Sequence, residues 1–155
     1  MISAGKVDVF DIYEDNLVKA VLDIKPANKG HMVLFPKEHF QIMGLMHDEL
    51  VMHMFKIANM LSRAVFDAMK AQGTNVYVAN GQAAGQLVQH VLVHIIPRFK
   101  DDKITIPWQA KEFSEEEMKN ITKEIKSKIF IKKEETVKKE VKIEEIKEER
   151  RRRLP

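Results

Sequence analysis

The spacing of hydrophobic and polar positions changes several times along the chain. "VDVFDIY" (7–13) alternates apolar and polar residues, the two-residue repeat of a half-buried strand. "LVKAVLDI" (17–24) predicts a second strand, and the turn residues "EDN" between them make the pair an antiparallel hairpin. "KPANKGH" reads as a turn, with Pro26 fixing its φ and Gly30 free to take a positive one. "HMVLFP" predicts a third strand, stopped by Pro36. Over 48–72 the repeat becomes helical: Val51, Phe55, Ala58, Leu61, Val65 and Ala68 form one stripe. Asp48 and Glu49 suit the start of that helix, and Gly73 suits a C-cap. "TNVYVAN" (74–80) predicts a fourth strand and "GQAAGQ" a small-residue loop. The β-branched run 87–96 predicts a fifth strand, ended by Pro97. Ser114 and Glu117 fit a capping box that opens a second helix, striped by Met118, Ile121 and Ile125. Five strands and two well-separated helices, with hairpins early, indicate an α+β fold with a mostly antiparallel sheet.

Composition narrows this picture. The chain of 155 residues is the length of one domain, and 45% hydrophobic content is ordinary for a globular protein. No apolar run approaches the ~18 residues needed to cross a membrane. "MISAGKVDVFDIYEDN" reaches acidic residues before any apolar core, unlike a signal peptide, so a cytoplasmic location is the default expectation. The absence of cysteine excludes disulfides and thiolate metal sites. Abundant Lys, Glu and Ile suit a thermophile, which a melting curve would check.

The net charge of +3 is unevenly placed, dominated by the stretch after Phe113 and ending in "EERRRRLP". The organisation expected is a folded domain over 1–130 and a charged C-terminal extension over 131–155. Glu134–Lys138, Glu135–Lys139, Glu148–Arg152 and Glu149–Arg153 are favourable (i, i+4) pairs, each adding roughly 0.2–0.5 kcal/mol to a helix. The extension reads as a solvated helix or a partly disordered tail. An arm for nucleic acid or another acidic partner, or a dimer-bracing helix, are its alternatives.

The candidate chemistry lies in "GQLVQHVLVHIIPRF" (85–99). On a strand, His90, Leu92 and His94 share one face, with His90 and His94 roughly 13 Å apart. Zinc–nitrogen bonds of about 2.1 Å cannot bridge that gap from short imidazoles, so no metal site is predicted. What remains is a line of imidazoles beside "NGQAAGQ", whose backbone N–H groups can approach an anion, although such a loop is also an ordinary turn.

The run His90-Val91-Leu92-Val93-His94-Ile95-Ile96-Pro97-Arg98 resembles the histidine triad family pattern His-φ-His-φ-His-φ-φ, with φ apolar and Pro-Arg commonly following. "NGQAAGQ" and "LDIKPANKGHMVLFPKEH" resemble the segments that precede the triad, and the likeness covers roughly 7–128. The resemblance implies a homodimer with joined sheets and a purine nucleotide in a cleft beside the fifth strand. In family enzymes the central histidine attacks the α-phosphorus and the nucleotidyl-histidine then passes its nucleotide to water or another acceptor. Here that position holds Leu92, which cannot attack, donate or accept a proton. By the same resemblance Asp23 meets the ribose hydroxyls, and Leu22 and Ile24 lie near the nucleoside. Gly85, Gln86 and Leu87 form the phosphate-proximal loop, and His94 contacts phosphate. His90 is an internal hydrogen-bonding partner, and His39 falls where the family commonly has histidine. Asn80 is a further nucleotide-binding candidate, beside Ala79 where relatives often carry Asn or Gln. The N-terminal cysteine pair of some relatives is absent.

Blander roles stay open: Asp23 as a turn former, His90 as a structural histidine, and His31 capping or packing in its turn. His47 and His53 are helix-region residues without assigned chemistry. The methionines, such as Met52, Met54 and Met60, are core or dimer-interface filler. The expected function is purine nucleotide binding without the usual covalent hydrolysis or transfer, and without a cofactor. One alternative is an active phosphoramidase or dinucleotide hydrolase using His94 or His90. Another is a dimeric scaffold whose basic tail contacts nucleic acid.

Overall fold

Residues 10–105 and 109–129 are described by the computed structural model. The chain divides into two units, Met1–Ile106 and Pro107–Pro155. In the first unit the strands are β1 (Asp11–Glu14), β2 (Val18–Leu22), β3 (Met32–Pro36), β4 (Gly73–Val78) and β5 (Val93–Arg98), with α1 (Asp48–Met69) between β3 and β4. They form one antiparallel sheet in the order β1-β2-β3-β5-β4.

Strand alternation sorts side chains onto two faces. Val18, Ala20, Met32, Leu34, Val93 and Ile95 are buried in one core cluster with Leu50, Met54, Ile57, Ala58, Leu61 and Val65 of α1. Each fully buried aliphatic side chain of this kind contributes about 1.5–3 kcal/mol. The register then places the site on the opposite face. Val33 pairs with His94 and with Val21, and His94 pairs with Tyr77, so one row crosses four strands with the histidine within it.

Several boundaries differ from the expectation. Residues 7–9 of the first predicted strand lie outside those described. Pro36 is the last residue of β3, as expected, whereas Pro97 stands inside β5, which runs on to Arg98. Gly73 opens β4; the helix is capped by Lys70, in the left-handed region with φ 51°. The α1 stripe is rotated from the predicted one. Phe55 and Ala68 are exposed and Val51 is half-buried, while Leu50, Met54 and Ile57 join Ala58, Leu61 and Val65 inside. Of the three named methionines only Met54 is core, and Met52 and Met60 are exposed.

The largest difference is that 87–92 is not strand. The Gln86 side-chain amide donates to the carbonyls of Val88 (2.9 Å) and His90 (3.4 Å), and the Val91 N–H goes to the Phe40 carbonyl (2.9 Å). These bonds replace a sheet ladder.

In the second unit α2 (Glu115–Ser127) begins with the predicted capping box. Ser114 Oγ accepts from the Glu117 amide (3.3 Å), and Glu117 Oε2 accepts from the Ser114 amide (2.7 Å). Met118, Ile121 and Ile125 are exposed on it. The charged extension 131–155 and its paired charges lie outside the described residues. Among the described residues no helix is long and apolar enough to cross a membrane.

Candidate functional site

Three elements meet on the open face of the sheet. Asp23 follows β2, His31 immediately precedes β3, and His94 is the second residue of β5. His31 Nε2 lies 3.0 Å from His94 Nδ1, and Asp23 Oδ2 lies 3.7 Å and 3.8 Å from those two nitrogens. Asp23 takes up the turn role considered for it. Its Oδ1 accepts the Lys25 amide (2.7 Å) in a turn, which leaves Oδ2 facing the histidines.

Hydrogen-bond partners set the tautomers of this pair. The Ala27 N–H donates to His31 Nδ1 (3.0 Å), so that nitrogen carries a lone pair and the His31 proton sits on Nε2. His31 Nε2–H therefore donates to His94 Nδ1, and the His94 proton is placed on Nε2. The relay ends in a donor. Burial pushes the pKa of both histidines down, with Asp23 opposing, so both are neutral at neutral pH. His31 is only 5% exposed, buried well beyond the needs of a turn cap.

Asp23, His31 and His94 also form a cluster whose ligand atoms lie within 4.8 Å of one another, a spacing compatible with a metal. The Ala27 amide disfavours that use. A metal on His31 Nε2 would require either a proton on Nδ1, opposed to the Ala27 N–H, or an imidazolate.

His90 lies in a second pair. Its Nε2 donates to the Pro36 carbonyl (2.9 Å), and its Nδ1 faces His39 Nδ1 at 3.0 Å. Since a carbonyl can only accept, the neutral His90 carries its proton on Nε2 and accepts at Nδ1. His39 Nδ1–H is then the donor. The predicted strand geometry for a line of imidazoles is thus corrected at His90, which is held among backbone and side-chain partners of its own. Leu92 is half-buried between Val91 and Val93, which are both buried, so the alternation that exposes His94 extends to it.

The small-residue loop is held internally. Gly81 and Gly85 take φ of +91° and +86°, values that suit glycine. The amides of Ala84, Gly85 and Gln86 donate to carbonyls within the loop (3.1, 2.9 and 3.2 Å). Gln86 Oε1 accepts the Gly81 amide (2.6 Å), and its Nε2 also reaches the Gln41 carbonyl (2.6 Å). Asn80 Oδ1 accepts the Met43 amide (2.8 Å). Gln86 and Asn80 therefore hold the loop together. Leu87 follows it with its side chain 96% exposed, Ile24 is exposed, and Leu22 is half-buried.

Tyr77 and Ala27 had no assigned role in the sequence. Tyr77 Oη donates to the Ala84 carbonyl (2.8 Å), and its ring centroid lies 6.2 Å from that of His94, so it joins the loop to the histidine row. The one available signal for Tyr77 was its parity on the fourth strand. His53, also unassigned, bonds Asp15 at 2.7 Å and ties the β1–β2 turn to α1.

Residues 5–101 match the HIT domain. Protein hit of Bacillus subtilis is 35% identical over 131 residues, covering 83% of this chain and 90% of that protein. The adenosine 5'-monophosphoramidase of Schizosaccharomyces pombe is 33% identical over 126 residues, covering 81% and 92%. Among solved structures, a HIT family member from Bacillus subtilis superposes with a TM-score of 0.76 at 32% identity, covering 82% of this chain and 92% of that one. A hypothetical histidine triad nucleotide-binding protein from Sulfolobus tokodaii gives 0.59 at 30% identity, covering 76% and 80%. The chain belongs to the HIT-domain family.

Proposed function

We propose that this protein binds a purine nucleoside monophosphate without carrying out covalent nucleotidyl transfer. Asp23 Oδ2 accepts from the ribose hydroxyls, Leu22 and Ile24 flank the nucleoside, and His94 Nε2–H donates to a phosphate oxygen. The loop Gly85–Gln86–Leu87 approaches the same phosphate, with Gln86 and Asn80 acting by holding it in shape. Leu92 occupies the position of the family's attacking histidine and leaves a binding surface there.

The observation that carries this reading is the direction of the hydrogen bonds at the two remaining histidines. His94 offers an N–H outward because Ala27 and His31 fix its tautomer. The nitrogens of His90 face the Pro36 carbonyl and His39. Neither provides the free lone pair that a nucleophile or general base needs. The alternative of an active phosphoramidase using His94 or His90 is disfavoured on that ground, although the Schizosaccharomyces pombe relative is itself such an enzyme by name. The family membership and the fold support nucleotide recognition.

The protein works as a homodimer in this reading. Among the described residues β4 is an edge strand with one unpaired side, and Val76 on it and Met60 and Phe66 on α1 are exposed apolar groups that a second copy would cover. Contact between the charged extension and nucleic acid is a separate proposal, tested by deleting 131–155.

Calorimetry with adenosine monophosphate tests binding, and adenosine 5'-phosphoramidate tests turnover. Saturable binding with no turnover above background is expected, and Leu92→His is expected to gain turnover. A nucleotidyl adduct trapped on any side chain of the unaltered protein sinks the proposal.

A further inference from the structure

The turn between β2 and β3 carries the amide that sets the proton on His94, and the fold holds that turn from two sides. Gly30, with φ +89°, packs its backbone on the last turns of α1. A Cβ there would stand 2.9 Å from Met69 Cγ and 3.1 Å from Val65 Cγ2. On the other side Asn28 Nδ2 donates to the Pro97 carbonyl and to Asp102 Oδ2, both at 2.9 Å.

Asp102 is a rigid acceptor. Arg98 grips it through Nε (2.7 Å) and Nη2 (2.9 Å), and the amides of Phe99 (3.1 Å) and Ile104 (3.0 Å) donate to it. Its side chain is 6% exposed. Arg98 also reaches Asn75 Oδ1 (2.6 Å) and the Ile104 carbonyl (2.7 Å). Both acceptors of Asn28 are therefore fixed to the end of β5, the strand that carries His94.

We propose that Asn28 is a positioning residue: by locking its turn to the end of β5 it holds the Ala27 amide against His31, and so keeps the His94 proton on Nε2. Asn28 acts through Ala27 and His31, without touching the ligand. A turn released from Asp102 and Pro97 no longer excludes a proton from His31 Nδ1. The relay can then reverse, giving His94 a proton on Nδ1 and an outward lone pair on Nε2. The effect on affinity rests on the proposed phosphate contact of His94; the effect on the tautomer does not.

The test compares the full chain with Asn28→Ala and Asn75→Ala, the second losing a contact of the same Arg98 without touching the turn. Imidazole nitrogen shifts report the His94 tautomer, and calorimetry reports adenosine monophosphate affinity. Asn28→Ala is expected to give mixed tautomers and affinity about tenfold weaker, while Asn75→Ala keeps the Nε2–H form and the affinity. Asn28→Ser, too short to span both acceptors, serves with the same readouts if Asn28→Ala does not fold. A pure Nε2–H spectrum in the Asn28 variant, or an equal shift in Asn75→Ala, overturns the proposal. No nucleotide affinity in the unaltered protein defeats the binding reading, and the tautomer comparison still decides the role of Asn28.

Discussion

His31–His94 and His39–His90 are built alike, each with two ring nitrogens 3.0 Å apart, but different backbone groups hold them. In the first pair an amide N–H from Ala27 donates to the inner ring of His31, and the outer ring of His94 presents a donor. In the second pair the Pro36 carbonyl accepts from the inner ring of His90, which leaves His39 with its lone pair outward on Nε2. Two pairs of the same residue type thus end in opposite hydrogen-bond polarity, and one backbone group decides each. Burial separates them further. His31 lies inside the protein, where an unmade hydrogen bond is costly, whereas His39 is exposed and water can replace its partner.

The strongest way to break this contrast is to remove the outward donor. His94→Ala deletes the donor of the proposed phosphate contact, and a hydrogen bond to a charged group contributes about 1.5–3 kcal/mol, so nucleotide affinity should fall about ten- to a hundredfold by calorimetry. A loss below about twofold would mean that the ligand does not lie against His94.

Acid sharpens the contrast by acting on the buried pair. Burial holds the folded-state pKa values of His31 and His94 below the ordinary histidine value of about 6.5, so the unfolded chain binds more protons as the pH drops. The stability tied to neutral histidines is full above about pH 6.5 and is lost as pH falls through the folded values. The urea midpoint should be lower at pH 5.5 than at pH 7.5, and His31→Gln should narrow that difference. Asp102, held well below the usual carboxylate range by Arg98, stays ionised across this window. An equal or larger difference in His31→Gln would place the titration elsewhere.

The legible part of the molecule was the part governed by period and by local chemistry. Strand alternation announced the sheet, and the Ser114–Glu117 spacing announced a cap that both side chains complete. The α1 stripe was misplaced because helical spacing fits more than one face when Phe55 and Met54 are adjacent; contact with the sheet selected Met54. Within the site, Asp23 and His94 were found by motif, yet His31 and Ala27 were not. A tautomer depends on a backbone amide four residues away pointing at a ring, and no repeat in the sequence encodes that direction. The run 87–92 failed for a related reason. Its β-branched residues favour a strand, but the Gln86 amide satisfies two of its carbonyls.

The smallest effect belongs to the exposed pair. His39→Ala removes the donor to His90 Nδ1 but leaves His90 anchored to the Pro36 carbonyl through Nε2. The site is open enough for water to supply the missing donor, and surface substitutions of this kind usually change stability by less than about 0.5 kcal/mol. Nucleotide affinity should remain within about twofold of the unaltered protein, since His39 pairs with His90 and shares no hydrogen bond with the relay that ends at His94. An affinity loss comparable to that of His94→Ala would join the two pairs into one functional unit. The opposite polarities would then have to be read as the donor and acceptor ends of a single ligand site.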